Sequence, residues 1–286
     1  MFLRVRICAA VCAAVLLTVS LTGCGENDAA GPETFFETSS ETMTERAFGT
    51  TEEETEESAE EENTVIPQGK GEDEEEMLDI NNVRISVKEA GEGPDMILIH
   101  GRTHAKESMD PLFEYYKERY HVVSYDVRGH GKTESAGEFT LDDLSDDLAG
   151  VIRAYQMEKP VVIGFSMGSY IALKTAERYP DLLSGIVLIG TRGGRTSSPW
   201  PSIDEVGRAL ESFDNLTDAP KVTVPALVLS GENDRINPAP EGKKVADALP
   251  EAEYFVVPDA EHMAYAGNPD FVFEKIDAYL KRMSAE

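Results

Sequence analysis

Cysteine is nearly missing from this chain. Its three cysteines, Cys8, Cys12 and Cys24, all fall within the first 24 of 286 residues. Everything downstream therefore folds without a disulfide framework or a thiolate-held metal, and must rely on a sizeable core. Basic residues are also scarce, 26 Lys and Arg against 54 Asp and Glu for a net charge of −28, and they form no cluster. That balance excludes a surface built to neutralise a phosphate backbone, so no nucleic-acid partner is expected. Long apolar runs are lacking too. The one extended stretch, Ile7 to Leu21, is apolar or small throughout but shorter than the roughly 20 residues of a spanning helix.

What is present divides into three materials. Arg4 and Arg6 precede the apolar run, which ends in LTGC at 21–24. This arrangement resembles the lipobox of bacterial lipoprotein signals, with residues 1–23 removed and Cys24 left as a lipid-bearing first residue. An uncleaved signal anchor is the alternative, and both readings place the rest of the chain outside the cytoplasm. Residues 24–76 follow as an acidic linker, with 19 Asp or Glu against Arg46 and Lys70. Such a segment buries too little apolar surface to offset the entropy of ordering, so it reads as a disordered tether reaching about 40 Å as a flexible coil. It contains no loop with calcium-ligand spacing. The membrane, through the lipid, is the expected partner, and no protein partner is implied.

The third material, 77–286, has the length of one domain. MLDI and VRISVKEA, separated by Asn81 and Asn82, alternate like a hairpin. MILIH, HVVSYD, VVIGF, GIVLIG, ALVLSG and YFVVPD are short runs rich in Val, Ile and Leu, as expected of strands covered on both faces. Between them Leu141, Leu144, Leu148, Val151 and Ile152 recur at helical spacing, as do Ala172, Ala176 and Tyr179. Strand alternating with helix predicts an α/β domain with a mostly parallel eight-stranded sheet and helices on both faces.

Within PVVIGFSMGSYI, Ser166 stands between Gly164 and Gly168 where a buried strand hands over to a helix. A G-x-S-x-G turn in that setting is a nucleophile elbow, so tight that side chains two places either side of the serine would clash. The helix that follows aims its N-terminal partial charge and free N–H groups at the hydroxyl. Serine is a poor nucleophile at neutral pH and needs a base, which in turn needs an orienting acid.

Here the sequence resembles the α/β-hydrolase superfamily over essentially all of 77–286. The resemblance implies an order of Ser, Asp, His, each at a strand end. ALVLSGENDRINP then supplies Asp234 as the acid, with Glu232 and Asp259 as rivals, and VVPDAEHMAY supplies His262 as the base. It also implies an oxyanion hole made by the backbone N–H groups of Met167 and Arg102. His100 and Gly101, in MILIHGRTH, are candidates to line the substrate site, His100 also as a holder of the loop. YDVRGHGKTES resembles the superfamily's turn after the next strand. Its GKT is no phosphate loop, because Asp126 stands where that motif needs glycine.

Two departures carry expectations. Glu261 replaces the glycine that many relatives have before the histidine, either facing solvent or acting on His262. Only about 30 residues separate Gly190 from Val222, so any cap is short. That segment holds Arg192, Arg195 and the lone Trp200. They line either a cleft favouring a carboxylated substrate or a solvated loop.

The resemblance thus implies a serine hydrolase of a carboxylic ester or similar acyl bond in a small molecule, needing no metal and no organic cofactor. Lactonases, carbon–carbon bond hydrolases, cofactor-free haloperoxidases and proline iminopeptidases share these features. A binding lipoprotein on the same scaffold is the rival of another class.

Overall fold

The computed structural model describes residues 74–135, 137–194, 204–211 and 213–285. The signal, Cys24, the linker up to residue 73, Arg195 and Trp200 lie outside them.

Eight strands form one sheet: β1 (Glu74–Ile80), β2 (Val83–Ala90), β3 (Asp95–Ile99), β4 (His121–Tyr125), β5 (Val161–Phe165), β6 (Gly185–Ile189), β7 (Ala226–Gly231) and β8 (Ala252–Val257). Their order is β1-β2-β4-β3-β5-β6-β7-β8. The hairpin β1–β2 and the pair β2–β4 are antiparallel, and every later pair is parallel. β5 and β6 are buried at every position, which explains why they read as unbroken apolar runs.

β1 starts at Glu74, inside the stretch read as linker. Two of its glutamates, Glu75 and Glu76, find side-chain partners there. Glu75 meets the ammonium groups of Lys106 and Lys132, and Glu76 accepts from the Tyr155 hydroxyl at 2.6 Å.

The helices are α1 (Asp110–Tyr116), α2 (Leu141–Ala154), α3 (Met167–Arg178), α4 (Glu205–Ala209), α5 (Asn215–Asp218), α6 (Ala239–Ala248), α7 (Ala264–Gly267) and α8 (Pro269–Met283). α2 starts where Thr140 and Asp143 cap each other reciprocally, and its Leu141, Leu144, Leu148 and Val151 stripe packs on the sheet. α2, α3 and α6 cover one face, while α1, α7 and α8 cover the other. Between β6 and β7 the described residues form only α4, α5 and a 3-10 turn, a short cap region. None of the helices described is long and apolar enough to cross a membrane.

The chain leaves β3 towards β4 on one side, then returns to place β5 on the other. The connections diverge at that point and open a crevice at the carboxyl ends of β3 and β5, where ligands of open α/β sheets gather.

Candidate active site

Ser166 sits at the end of β5 with φ of +50°, a conformation that non-glycine residues rarely adopt. The flanking glycines make it attainable. A Cβ on Gly164 would lie 2.2 Å from the Gly168 carbonyl oxygen, and one on Gly168 would lie 2.3 Å from that of Ile99. The serine backbone is pinned by its N–H donating to Ile189 at 2.8 Å.

His262 follows β8 and Asp234 follows β7. His262 Nε2 lies 3.0 Å from Ser166 Oγ, across 96 residues of sequence. Its Nδ1 lies 2.7 Å from Asp234 Oδ2. An ionised carboxylate only accepts, so the proton belongs on Nδ1 and the Nε2 lone pair faces the serine hydroxyl. The other carboxylate oxygen, Oδ1, accepts from the N–H groups of Ile236 and Asn237 at 2.8 and 2.9 Å. Asp234 is buried and fully committed, while His262 keeps an open edge.

Neither rival acid meets the imidazole. Glu232 accepts from the Asp259 N–H at 3.0 Å, tying the two loops together. Glu261 is exposed to solvent.

The loop after β3 passes directly over the elbow: a Cβ on Gly101 would come within 3.3 Å of Ser166 Cβ. Among the described residues, neither the Arg102 N–H nor the Met167 N–H has an acceptor. The Arg102 side chain points away to Asp204 at 2.5 Å, which joins this loop to the start of α4.

His100 requires a correction as a substrate-lining residue, and its other reading, holder of the loop, fits. It is fully buried, Nδ1 donates to the Gly101 carbonyl at 2.8 Å, and Nε2 accepts from the Val127 N–H at 3.0 Å. Both ring nitrogens are spent on holding two loops together, so nothing remains to touch a substrate. Burial lowers its pKa to about 4, which keeps the ring neutral. Asp126 likewise organises its own turn, accepting from the N–H groups of Lys106 and Lys132 at 2.8 and 2.9 Å.

Arg192 lies on the loop after β6, with Nε donating to Gly194 at 2.7 Å. That loop passes under the imidazole, since a Cβ on Gly190 would sit 3.1 Å from His262 Cε1.

Two functional neighbours escaped the sequence reading. Tyr170, one turn along α3 from the serine, stacks on Phe213 at 4.3 Å. Burial pushes its hydroxyl up to about 12, against hydrogen bonding from Asn237, the Arg192 charge and Ser166. Asn237 Nδ2 donates to that hydroxyl at 3.0 Å and to the Gly190 carbonyl at 2.6 Å. The only sequence signal was that Asn237 follows the acid by three residues in a turn.

A crevice at the sheet's switch point and a serine on a strand-to-helix elbow are features of the α/β-hydrolase fold. A family model described as alpha/beta hydrolase fold matches residues 94–221, and one described as TAP-like protein matches 206–286. The chain has the α/β-hydrolase fold, and the proteins it is similar to include hydrolases. It is 23% identical to 2-(acetamidomethylene)succinate hydrolase of Mesorhizobium japonicum, over 71% of this chain and 94% of that one. It is 24% identical to a pimeloyl-(acyl-carrier protein) methyl ester esterase of Chromobacterium violaceum, over 66% and 96% respectively. Its fold is also that of the enol-lactonase from Burkholderia xenovorans LB400, with TM-score 0.67 and 20% identity over 72% of this chain and all of the other.

Proposed function

We propose that the protein hydrolyses a carboxylic ester or related acyl bond through Ser166, His262 and Asp234. The carrying observation is the hydrogen-bonded chain from Ser166 Oγ through His262 to Asp234, at 3.0 and 2.7 Å. Ser166 attacks the acyl carbonyl while His262 Nε2 takes its proton, and Asp234 holds the tautomer and stabilises the imidazolium. The N–H groups of Met167 and Arg102 receive the oxyanion. His262 then returns the proton to the leaving group, which departs from an acyl-Ser166 intermediate. Water, deprotonated by the same nitrogen, adds to the acyl carbon and restores the serine. Relatives named as a hydrolase of a succinate derivative and as a methyl ester esterase support this class of reaction.

The test is turnover of p-nitrophenyl esters together with labelling by a fluorophosphonate. Ser166→Ala should abolish labelling, and Ser166→Ala or His262→Ala should lower kcat by about 10⁴-fold or more with the fold intact. A wild-type chain that neither labels nor turns over an ester would leave a binding protein on this scaffold.

The same proposal places the domain outside the cytoplasm, held to a bacterial membrane by lipid on Cys24 and spaced from it by the acidic linker. Metabolic labelling with a lipid analogue should mark the wild type and not Cys24→Ala; equal labelling of both would remove the anchor.

A further inference from the structure

In so acidic a domain, a cation without a carboxylate is conspicuous. Every other buried or half-buried lysine and arginine among the described residues has a carboxylate oxygen within 3.5 Å: Lys88, Lys106, Lys117, Arg128, Lys174, Arg178, Arg208 and Lys275. The remaining described cations without one within that distance, Arg84, Arg153, Lys159, Arg235 and Lys281, are exposed and solvated. Arg192 is half-buried and has none among the described residues.

Its setting holds it in place. Nε is spent on the Gly194 carbonyl at 2.7 Å, and the Arg192 carbonyl accepts from Asn215 Nδ2 at 2.8 Å. Gly193, next along, lies so close to Leu216 that an added Cβ would sit 3.0 Å from it. The two terminal nitrogens, Nη1 and Nη2, have no partner among the described residues, and together they form the edge that receives a planar anion in bidentate fashion. Two residues earlier the same loop runs beside the His262 ring, where a Cβ on Gly190 would sit 3.1 Å from Cε1. The Arg192 charge also reaches the Tyr170 hydroxyl, which in turn feels Ser166. A half-buried guanidinium left unpaired costs free energy that a bound anion would recover.

We infer that Arg192 is a substrate-specificity residue: the substrate carries a carboxylate besides its scissile acyl bond, and that carboxylate pairs with Nη1 and Nη2 of Arg192. This rests on the hydrolase reading for its kinetic test but has a binding test of its own. A neutral substrate leaves the guanidinium edge unpaired, so discrimination comes from the site's own unsatisfied donors rather than from size.

The kinetic experiment compares two matched pairs of esters. Mono-p-nitrophenyl glutarate against p-nitrophenyl pentanoate places the carboxylate on the acyl side, and 4-acetoxybenzoate against phenyl acetate places it on the leaving group. The wild type should prefer the carboxylated member of at least one pair. Arg192→Met and Arg192→Gln should lower that preference ratio by about 10- to 100-fold, with Arg192→Lys intermediate. Because the ratio is taken within each protein, a general loss of folded enzyme cancels. The binding experiment is calorimetric titration of glutarate and of inorganic phosphate into the wild type, Arg192→Met and Ser166→Ala. Glutarate should bind the wild type and Ser166→Ala alike, and Arg192→Met at least tenfold more weakly. An unchanged ratio in the Arg192 variants, a wild-type preference for the neutral member of both pairs, or phosphate binding in place of glutarate would overturn the assignment. Should no ester turn over while glutarate still binds through Arg192, the hydrolase reading fails and the anion site stands.

Discussion

Asn237 is tied to Gly190 by a 2.6 Å hydrogen bond from its Nδ2 to the glycine carbonyl. That bond joins the loop carrying Asp234 to the turn beneath His262. The same amide reaches Tyr170 on the nucleophile helix at 3.0 Å, and its backbone N–H donates to Asp234 Oδ1 at 2.9 Å. One side chain thus holds three separately delivered parts in register. Asn237→Ala leaves a carbonyl and a phenol without their donor, at about 1–3 kcal/mol of stability. If the acid and base drift by a fraction of an ångström, kcat should fall about 10- to 100-fold with KM changing less. Steady-state kinetics beside urea unfolding checks this: a stability loss with unchanged kcat would make Asn237 purely structural.

How far such parts can be read beforehand depends on how local their cause is. The strands announced themselves because β5 and β6 are buried at every position and so are apolar at every position. The elbow was legible because its steric demand, no side chain at 164 or 168, acts over five residues. His100 keeps two readings in the sequence, lining the site or holding the loop, because histidine beside an active-site loop looks the same whether it faces the cleft or the interior. Only the arrival of the Val127 N–H at 3.0 Å decides for the interior. Asn237 and Tyr170 were invisible for a similar reason: what they do depends on 67 residues of intervening chain returning to one place.

Lys106 is 1% exposed, yet it is an ammonium. Its Nζ donates to Ser86 Oγ at 2.9 Å and Asp126 Oδ2 at 3.0 Å, and pairs with Glu75 at 2.8 Å. Burial pulls its pKa down, but hydrogen bonds to Glu75 and Asp126 outweigh this and the pKa ends raised. Asp126→Asn removes the buried counter-charge and should cost about 3–5 kcal/mol, read by urea unfolding. Lys106→Met combined with Asp126→Asn should cost less than Asp126→Asn alone, since the ammonium no longer stays inside without its buried counter-charge, Glu75 and Glu107 being half-exposed.

The start of the folded unit has a sharp consequence. A chain beginning at Met77 loses Glu75 from Lys106 and Lys132, Glu76 from Tyr155, and the pairings of Glu74, Glu75 and Glu76 with Glu89, Lys88 and Val87. It should melt several degrees below a chain beginning at residue 72, although both contain every residue of the candidate site. Differential scanning calorimetry of the two, at equal concentration and salt, checks it; equal Tm values would mean that the glutamate end of β1 contributes nothing.

Two histidines set opposite limits on stability with pH. Hydrogen bonds donated by the His121 ring to Asp95 and Glu89, at 2.7 and 3.0 Å, outweigh its burial and raise its pKa to about 9. A raised folded pKa means stability that is complete below the ordinary value of 6.5 and is lost as pH climbs through 9. His100 is the reverse, lowered to about 4 by burial between Gly101 and Val127. There the unfolded chain takes up a proton first, so stability is lost as pH falls below 6.5 and the loss levels off below about 4. Each limb should amount to about 2 kcal/mol, below the full linkage value of a shift of that size. Urea titrations from pH 4 to 9 should therefore trace a dome. His121→Gln should flatten its alkaline side alone, and His100→Gln its acid side alone. A dome that keeps its shape in both variants would mean that other groups set the pH dependence.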